Sequence, residues 1–480
     1  VLSNGSLPRI LENNVSHPPA WSHFGFDEVP MKKGLLAVVI GMAIASSVLA
    51  DDWPQFRGPD RGGVSKEKGL LKEWPKKGPE LVWTFPNAGL GCSSVAVVKG
   101  VVYTLGTDFN IKMPNDSPKD GYFAAKDEYV IAIDEKKGTE LWRHKIGKVY
   151  AYEGKGYGDG PRSTPTIDGN FLYALGGQGQ LVCIDLTRAK DKEVWSKNLV
   201  TDLGGIMLKY GFSESPLIDG DLLICTPGGP KGTLAALKKK TGEVAWRSEG
   251  LTNVAPYSSI VAADFHGVRQ YVQTSYKAIG DIHGDVSGFD AKTGKPLWTK
   301  KIFDNDNEGI GASPIVTGSQ VYVTVGFGGG CHLFAIDNKQ NAVEQYKKPM
   351  WKNVKNTHGG VVLIDGHVYG HSERWGWICQ NLKSGELEWQ DDQKLNCTSG
   401  AITAAEGNLY LYTEDGEVGL VDADPKAFNL VSSFEIPVKS TIPKVRISSQ
   451  KARAWAYPVI ANGRLYLRDH EYIFAFKITK

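Results

Sequence analysis

One unit recurs eight times along this 480-residue chain. Each copy has an alternating apolar stretch, a glycine-centred turn and a second apolar stretch. It reads STPTIDGNFLYALG at 163–176, ASPIVTGSQVYVTVG at 312–326 and AYPVIANGRLYLRD at 456–469. Alternation such as Val321, Val323, Val325 has the strand period of two. Asp-Gly, Lys-Gly or Asn-Gly at the bend tolerates positive φ. The turn glycines are Gly100, Gly169, Gly220, Gly267, Gly318, Gly366, Gly407 and Gly463, spaced 69, 51, 47, 51, 48, 41 and 56 residues apart. No segment of comparable length has a helical period.

A half-unit follows most hairpins: an apolar strand, a turn, and a strand ending in tryptophan. These strands end at Trp142, Trp195, Trp246, Trp298 and Trp389, with Tyr346 and Phe434 in two degenerate copies. Hairpin plus half-unit makes four strands, the size of a propeller blade. The eighth hairpin has no outer strand after it. The missing strand stands at the front, at Glu80 to Phe85 with Trp83. Pairing it with the last blade removes an open sheet edge. The expected fold is therefore all-β, an eight-bladed β-propeller over about residues 75–480. A seven-bladed ring and an open solenoid are the rivals. The unit also explains why Gly (56) and Trp (13) are so numerous.

The front reads differently. Met31-Lys32-Lys33 precedes an apolar run, Leu35 to Leu49, and small residues close it at Ala50. This is the layout of a secretory signal peptide over 31–50. The run is short for a membrane span of about 20 residues. Residues 1–30 have no apolar period and read as a non-native or mis-called extension, with Met31 the expected start. Residues 51–74 form an N-terminal leader. The expectation is a periplasmic or extracellular protein with no membrane span once processed.

Lys+Arg is 55 against Asp+Glu 53. That balance lacks the basic footprint of a nucleic-acid binder. The six cysteines form no C-x-x-C, and several sit in strand-like runs, where buried thiols are expected.

The segment from Phe289 to Trp298 (FDAKTGKPLW), and the related run from Ile133 to Trp142, resemble the tryptophan-docking repeat of the pyrroloquinoline-quinone-like (PQQ-like) β-propellers. The leader Asp52 to Pro59 (DWPQFRGP) resembles that of secreted bacterial members. The resemblance implies the fold, with each Trp stacked on a Gly-containing turn such as Gly138, Gly242, Gly294 or Gly385. It leaves two functional branches: quinoprotein alcohol dehydrogenases, which bind PQQ and calcium, and BamB-like scaffolds, which bind no cofactor. The dehydrogenases carry adjacent cysteines beside the quinone, and some carry a haem motif. This sequence has no Cys-Cys and no C-x-x-C-H. The expectation is a binding or scaffold module that needs no cofactor, with an envelope protein or small polar ligand as partner. The alternative is a PQQ- and calcium-dependent oxidoreductase.

In a propeller the residues just before each hairpin gather at one mouth of the axial channel. Here they include Arg162, Glu214, Tyr257, Ser258, Ser313, His358, Thr398 and Tyr457. Arg162, Glu214, Tyr257 and His358 are the candidate ligand-binding set. The same groups also suit a ring lining that satisfies its own polar atoms. The acidic run 304–309 and the Asp281-Ile282-His283-Gly284-Asp285 turn offer metal-type side chains, but plain loops account for both. Gly176–Gly179 and Gly326–Gly330 lie between strands and so lack phosphate-loop geometry. Two surface features remain, the 107–127 insertion and the Trp375-Gly376-Trp377 pair.

Overall fold

The computed structural model describes residues 52–108, 126–150, 160–190, 192–278, 280–304, 309–347, 352–440 and 453–480. The extension, the signal segment and most of the 107–127 insertion lie outside them. So does most of the acidic run at 304–309.

The described strands form eight sheets. Seven are four-stranded, and the seventh blade carries a fifth short strand. Blade 1 shows the pattern: Ala96–Val98, Val101–Thr107, Asp127–Asp134 and Glu140–Lys148, paired antiparallel in chain order. First strands of successive blades touch, as in blades 1 and 2, 4 and 5, and 6 and 7, so they line the axis. Antiparallel order then puts all hairpin turns at one end of the ring. The starts of the inner strands and the loops between second and third strands fall at the other.

Blade 8 is completed from the front of the chain. Glu80–Phe85 pairs antiparallel with Tyr472–Lys477, Trp83 opposite Ala475. The count is eight, and the ring is closed by this strand.

Blades are joined by outer-strand aromatics. Trp83 donates from Nε1 to Glu135 O at 2.7 Å, Trp195 to Lys239 O at 2.9 Å and Trp389 to Asp424 O at 2.9 Å, each on the next blade's turn. The degenerate copies dock too. Tyr346 donates its hydroxyl to Leu382 O at 2.6 Å. Phe434 covers Gly78, just ahead of the closing strand.

The docking turn demands glycine for two reasons. Gly294 has φ +75°, and a Cβ there would stand 2.3 Å from Trp246 Cε3. Gly267 has φ +82° with nothing within 4 Å. Gly294→Ala is therefore expected to cost about 3 kcal/mol, combining left-handed strain with overpacking. Gly267→Ala carries only the strain, about 1 to 2 kcal/mol. Denaturant unfolding of the two variants measures the difference; equal losses would remove the docking term.

The leader runs into the ring. Trp53 exchanges backbone hydrogen bonds with Val97 of blade 1, and Pro54 O accepts from Ile167 of blade 2. Gly63 O accepts from Ala404 N at 2.9 Å, and Val64–Ser65 pairs parallel with blade 7. Phe56 meets Tyr457 of blade 8 edge-on at 5.1 Å. Val97, Ile167 and Ala404 all lie beside hairpin turns, so residues 53–65 occupy that end of the axis. Two buried arginines extend the contacts. Arg61 donates to Ser215 O at 3.2 Å, Ile260 O at 2.8 Å and Pro216 O. Arg57 donates to Val361 O at 2.5 Å and Gly62 O at 2.7 Å.

Candidate functional site

The end of the axis where the inner strands start holds most of the predicted set, and the leader reaches toward it at Tyr457 through Phe56 and Arg57. Arg162 comes just before the inner strand of blade 2. Its guanidinium lies between the rings of Tyr150 and Tyr257, 5.9 and 5.7 Å from their centroids. Nε and Nη2 are buried with no hydrogen-bond partner among the described residues. Burial lowers its pKa. Tyr257 is fixed from two sides. Its amide donates to Ile310 O at 3.0 Å, and its hydroxyl accepts from Tyr210 N at 3.2 Å.

His358, just before the inner strand of blade 6, stacks on Trp455 with ring centroids 4.3 Å apart and planes within 9°. Its Nδ1 is buried without a partner among the described residues. Burial, then the cations Arg453 and Arg162, push its pKa down to about 4, so the ring is neutral near pH 7. Trp455 donates to Glu414 Oε2 at 3.1 Å, and Arg453 lies 5.7 Å over its ring and 3.7 Å from the same carboxylate. The Cys92 thiol bonds the Trp455 backbone and lies within the field of Arg468 and Arg162; burial raises its pKa. Arg162, Tyr257 and His358 thus come together, with Cys92, Tyr150, Arg453 and Trp455 as additions.

Glu214 does not face this group. It is 1% exposed and accepts from Thr226 N at 2.5 Å, Thr226 Oγ1 at 2.6 Å and Gln273 Nε2 at 3.4 Å, with Arg61 as its nearest cation. It is a wall residue joining the blade to the leader. Ser258 likewise bonds Gln273 and Thr274, and Ser313 Oγ accepts from Ser259 N at 2.8 Å. Of the other candidates, His283 sits between Asp285 at 3.2 Å and Asp281 at 3.3 Å. Lys301 also meets Asp281, so the turn is an ion-pair network. Trp377 is buried between blades 6 and 7 and donates to Leu395 O at 3.1 Å. Trp375 packs on the blade 5–6 core. None of the six cysteines, all among the described residues, forms a disulfide.

Burial raises Glu214 to about 7 from 4.5, against its hydrogen bonds and Arg61, and Glu128 behaves alike. Between those values the folded state keeps a proton that the unfolded chain has released. The stabilisation is complete below pH 4.5 and is lost as pH rises through 7. His358, His371 and His470, pushed down to about 4, act oppositely: their contribution is complete above 6.5 and is lost as pH falls through 4. Glu214→Gln is expected to remove the acid-side gain, so its melting midpoint rises relative to wild type between pH 4.5 and 7. Parallel midpoint curves would contradict this.

One face of the Trp455 ring is covered by His358. Among the described residues no three His, Cys, Asp or Glu side chains converge as a metal site.

Eight blades of four antiparallel strands, outer aromatics such as Trp83, Trp195, Trp246 and Trp389 docked on the next blade's turn, and the last blade completed by Glu80–Phe85 define a PQQ-like repeat β-propeller. The family model described as "Outer membrane protein assembly factor BamB" matches residues 126–391. The chain belongs to that family. Curated relatives include an outer membrane protein assembly factor BamB of Kangiella koreensis, 30% identical over 204 residues. That match covers 42% of this chain and 44% of the relative. Another, from Burkholderia pseudomallei, is 26% identical over 212 residues, covering 37% of this chain and 52% of the relative. The chain thus spans about half the length of the curated relatives it matches. Quinohemoprotein alcohol dehydrogenase from Comamonas testosteroni shares the fold, with a TM-score of 0.59 and 12% identity, covering 89% of this chain and 80% of that one.

Proposed function

We propose that this chain is a non-catalytic binding module of the bacterial cell envelope, serving outer-membrane protein assembly. The observation that carries the reading is membership of the BamB family through residues 126–391. The secretory layout of 31–50 supports export to the periplasm. The mouth supports binding: its aromatic and cationic side chains are held rigidly, with polar atoms left unpartnered. Among the described residues no His, Cys, Asp and Glu cluster that could hold a metal forms there, and on this reading the module works without PQQ. Its partner is an envelope protein that docks on the ring.

Loss of the gene tests this. Outer-membrane β-barrel proteins, quantified by mass spectrometry of isolated outer membranes, are expected to fall and to recover when the wild-type gene is restored. Unchanged levels would argue for another role.

A further inference from the structure

We propose that the inner-strand end of the propeller axis binds a carboxylate, with Arg162 as its principal contact. The proposal rests on reading the mouth as a binding site and names the chemistry that site takes.

The first observation is the guanidinium. Buried arginines elsewhere in the ring spend their N–H groups on carbonyls. Arg468 gives its own to His470 O, Ser93 O and Leu105 O, and Arg61 to three carbonyls. Arg162 makes no hydrogen bond among the described residues, and two of its nitrogens are buried. Five donors in a planar fork match a carboxylate edge-on. Leaving such donors unmet in a protein wall is costly, and a ligand that meets them recovers that cost.

The second observation is independent. His358 offers another buried, unpartnered ring nitrogen at the same mouth, and the neutral ring has one N–H to give. Arg162 and Arg453 both act electrostatically on it, so both cations lie near this ring.

Charge decides the anion class. Arg453 already faces Glu414 at 3.7 Å. Arg468 is near Asp469 and Glu471. Glu128 is the carboxylate that acts on Arg162, and burial pushes it up to about 7; below that pH Arg162 keeps one positive charge to neutralise, which suits a single carboxylate better than a dianionic phosphate. Tyr150 and Tyr257 supply ring surface for the group that carries it. The carboxylate can belong to a small molecule or to an acidic peptide.

Calorimetric titration of the full chain with sodium benzoate, a tetraglutamate peptide and sodium phosphate separates these. Saturable binding of benzoate alone assigns a free carboxylate; of the peptide alone, a chain-borne one; of both, the carboxylate group itself. Arg162→Gln is expected to weaken binding at least about tenfold. Arg162→Lys, which keeps the charge and loses the fork, is expected to fall between the two. If Arg162→Gln does not fold, the lysine variant gives the comparison. Absence of saturation by about 20 mM of either carboxylate, a phosphate affinity equal to theirs, or undiminished affinity in both variants overturns the proposal. Such a result, with outer-membrane protein levels still dependent on the gene, would leave the assembly role standing.

Discussion

A chain lacking residues 51–85 is expected to fail to form a stable ring. Three losses coincide. The Tyr472–Lys477 strand (YIFAFK) becomes an open apolar edge once Glu80–Phe85 is gone. Trp83 no longer covers Gly138, and its bond to Glu135 O disappears. The leader's contacts with blades 1, 2, 3, 4, 6, 7 and 8 go with them. Removing one buried Trp side chain costs about 3–5 kcal/mol. Whole domains are stable by only about 5–15 kcal/mol, so this loss, with the exposed edge and the missing leader contacts added, removes a large share of what the ring holds. Circular dichroism and size-exclusion chromatography of the truncated chain read the outcome, with Trp83→Ala as the graded comparison. A truncated chain that melts like wild type would mean the ring closes without its first strand.

The second large effect is expected at Arg61. Its side chain, 5% exposed, holds the carbonyls of Ser215, Pro216 and Ile260, which belong to two neighbouring blades. Arg61→Ala strands these acceptors, each worth about 1–3 kcal/mol when left unmet in the interior. Removing a cation that burial has already lowered to about 9 returns part of that cost. A net loss of about 3 kcal/mol follows. Arg61→Lys should recover little, because a single ammonium cannot reach three carbonyls in a fixed fork. Urea unfolding of both variants gives the values. A loss below about 0.5 kcal/mol, typical of surface sites, would show that the leader merely rests in the ring.

The ring was legible because its signals are local. Alternation around Gly318 or Gly463 gives a hairpin, and Trp83 ahead of the first hairpin gives the closure. Even the degenerate outer strands kept their role: Tyr346 replaces the indole N–H with a hydroxyl on Leu382 O. The contribution of the leader was not legible. Arg57 and Arg61 bond backbone carbonyls 154 to 304 residues away, and a carbonyl leaves no mark in the sequence. The mouth was legible in part. Position before the inner strand puts Arg162 within reach of Tyr257 and in the field of His358, but it says nothing of where a side chain turns. Glu214 occupies the same kind of position and turns to Thr226. Arg453 and Trp455 were missed because they lie four and two residues further upstream of Tyr457. The alternating Arg-Ala-Trp-Ala-Tyr run was the available signal.

The central claim is that this propeller binds and does not catalyse. Incubation with PQQ and calcium, followed by a dye-linked assay across short alcohols, tests it most directly. The account predicts no oxidation above the protein-free control, whether or not the quinone's carboxylates bind at Arg162. Saturable PQQ binding accompanied by calcium-dependent alcohol oxidation would contradict it.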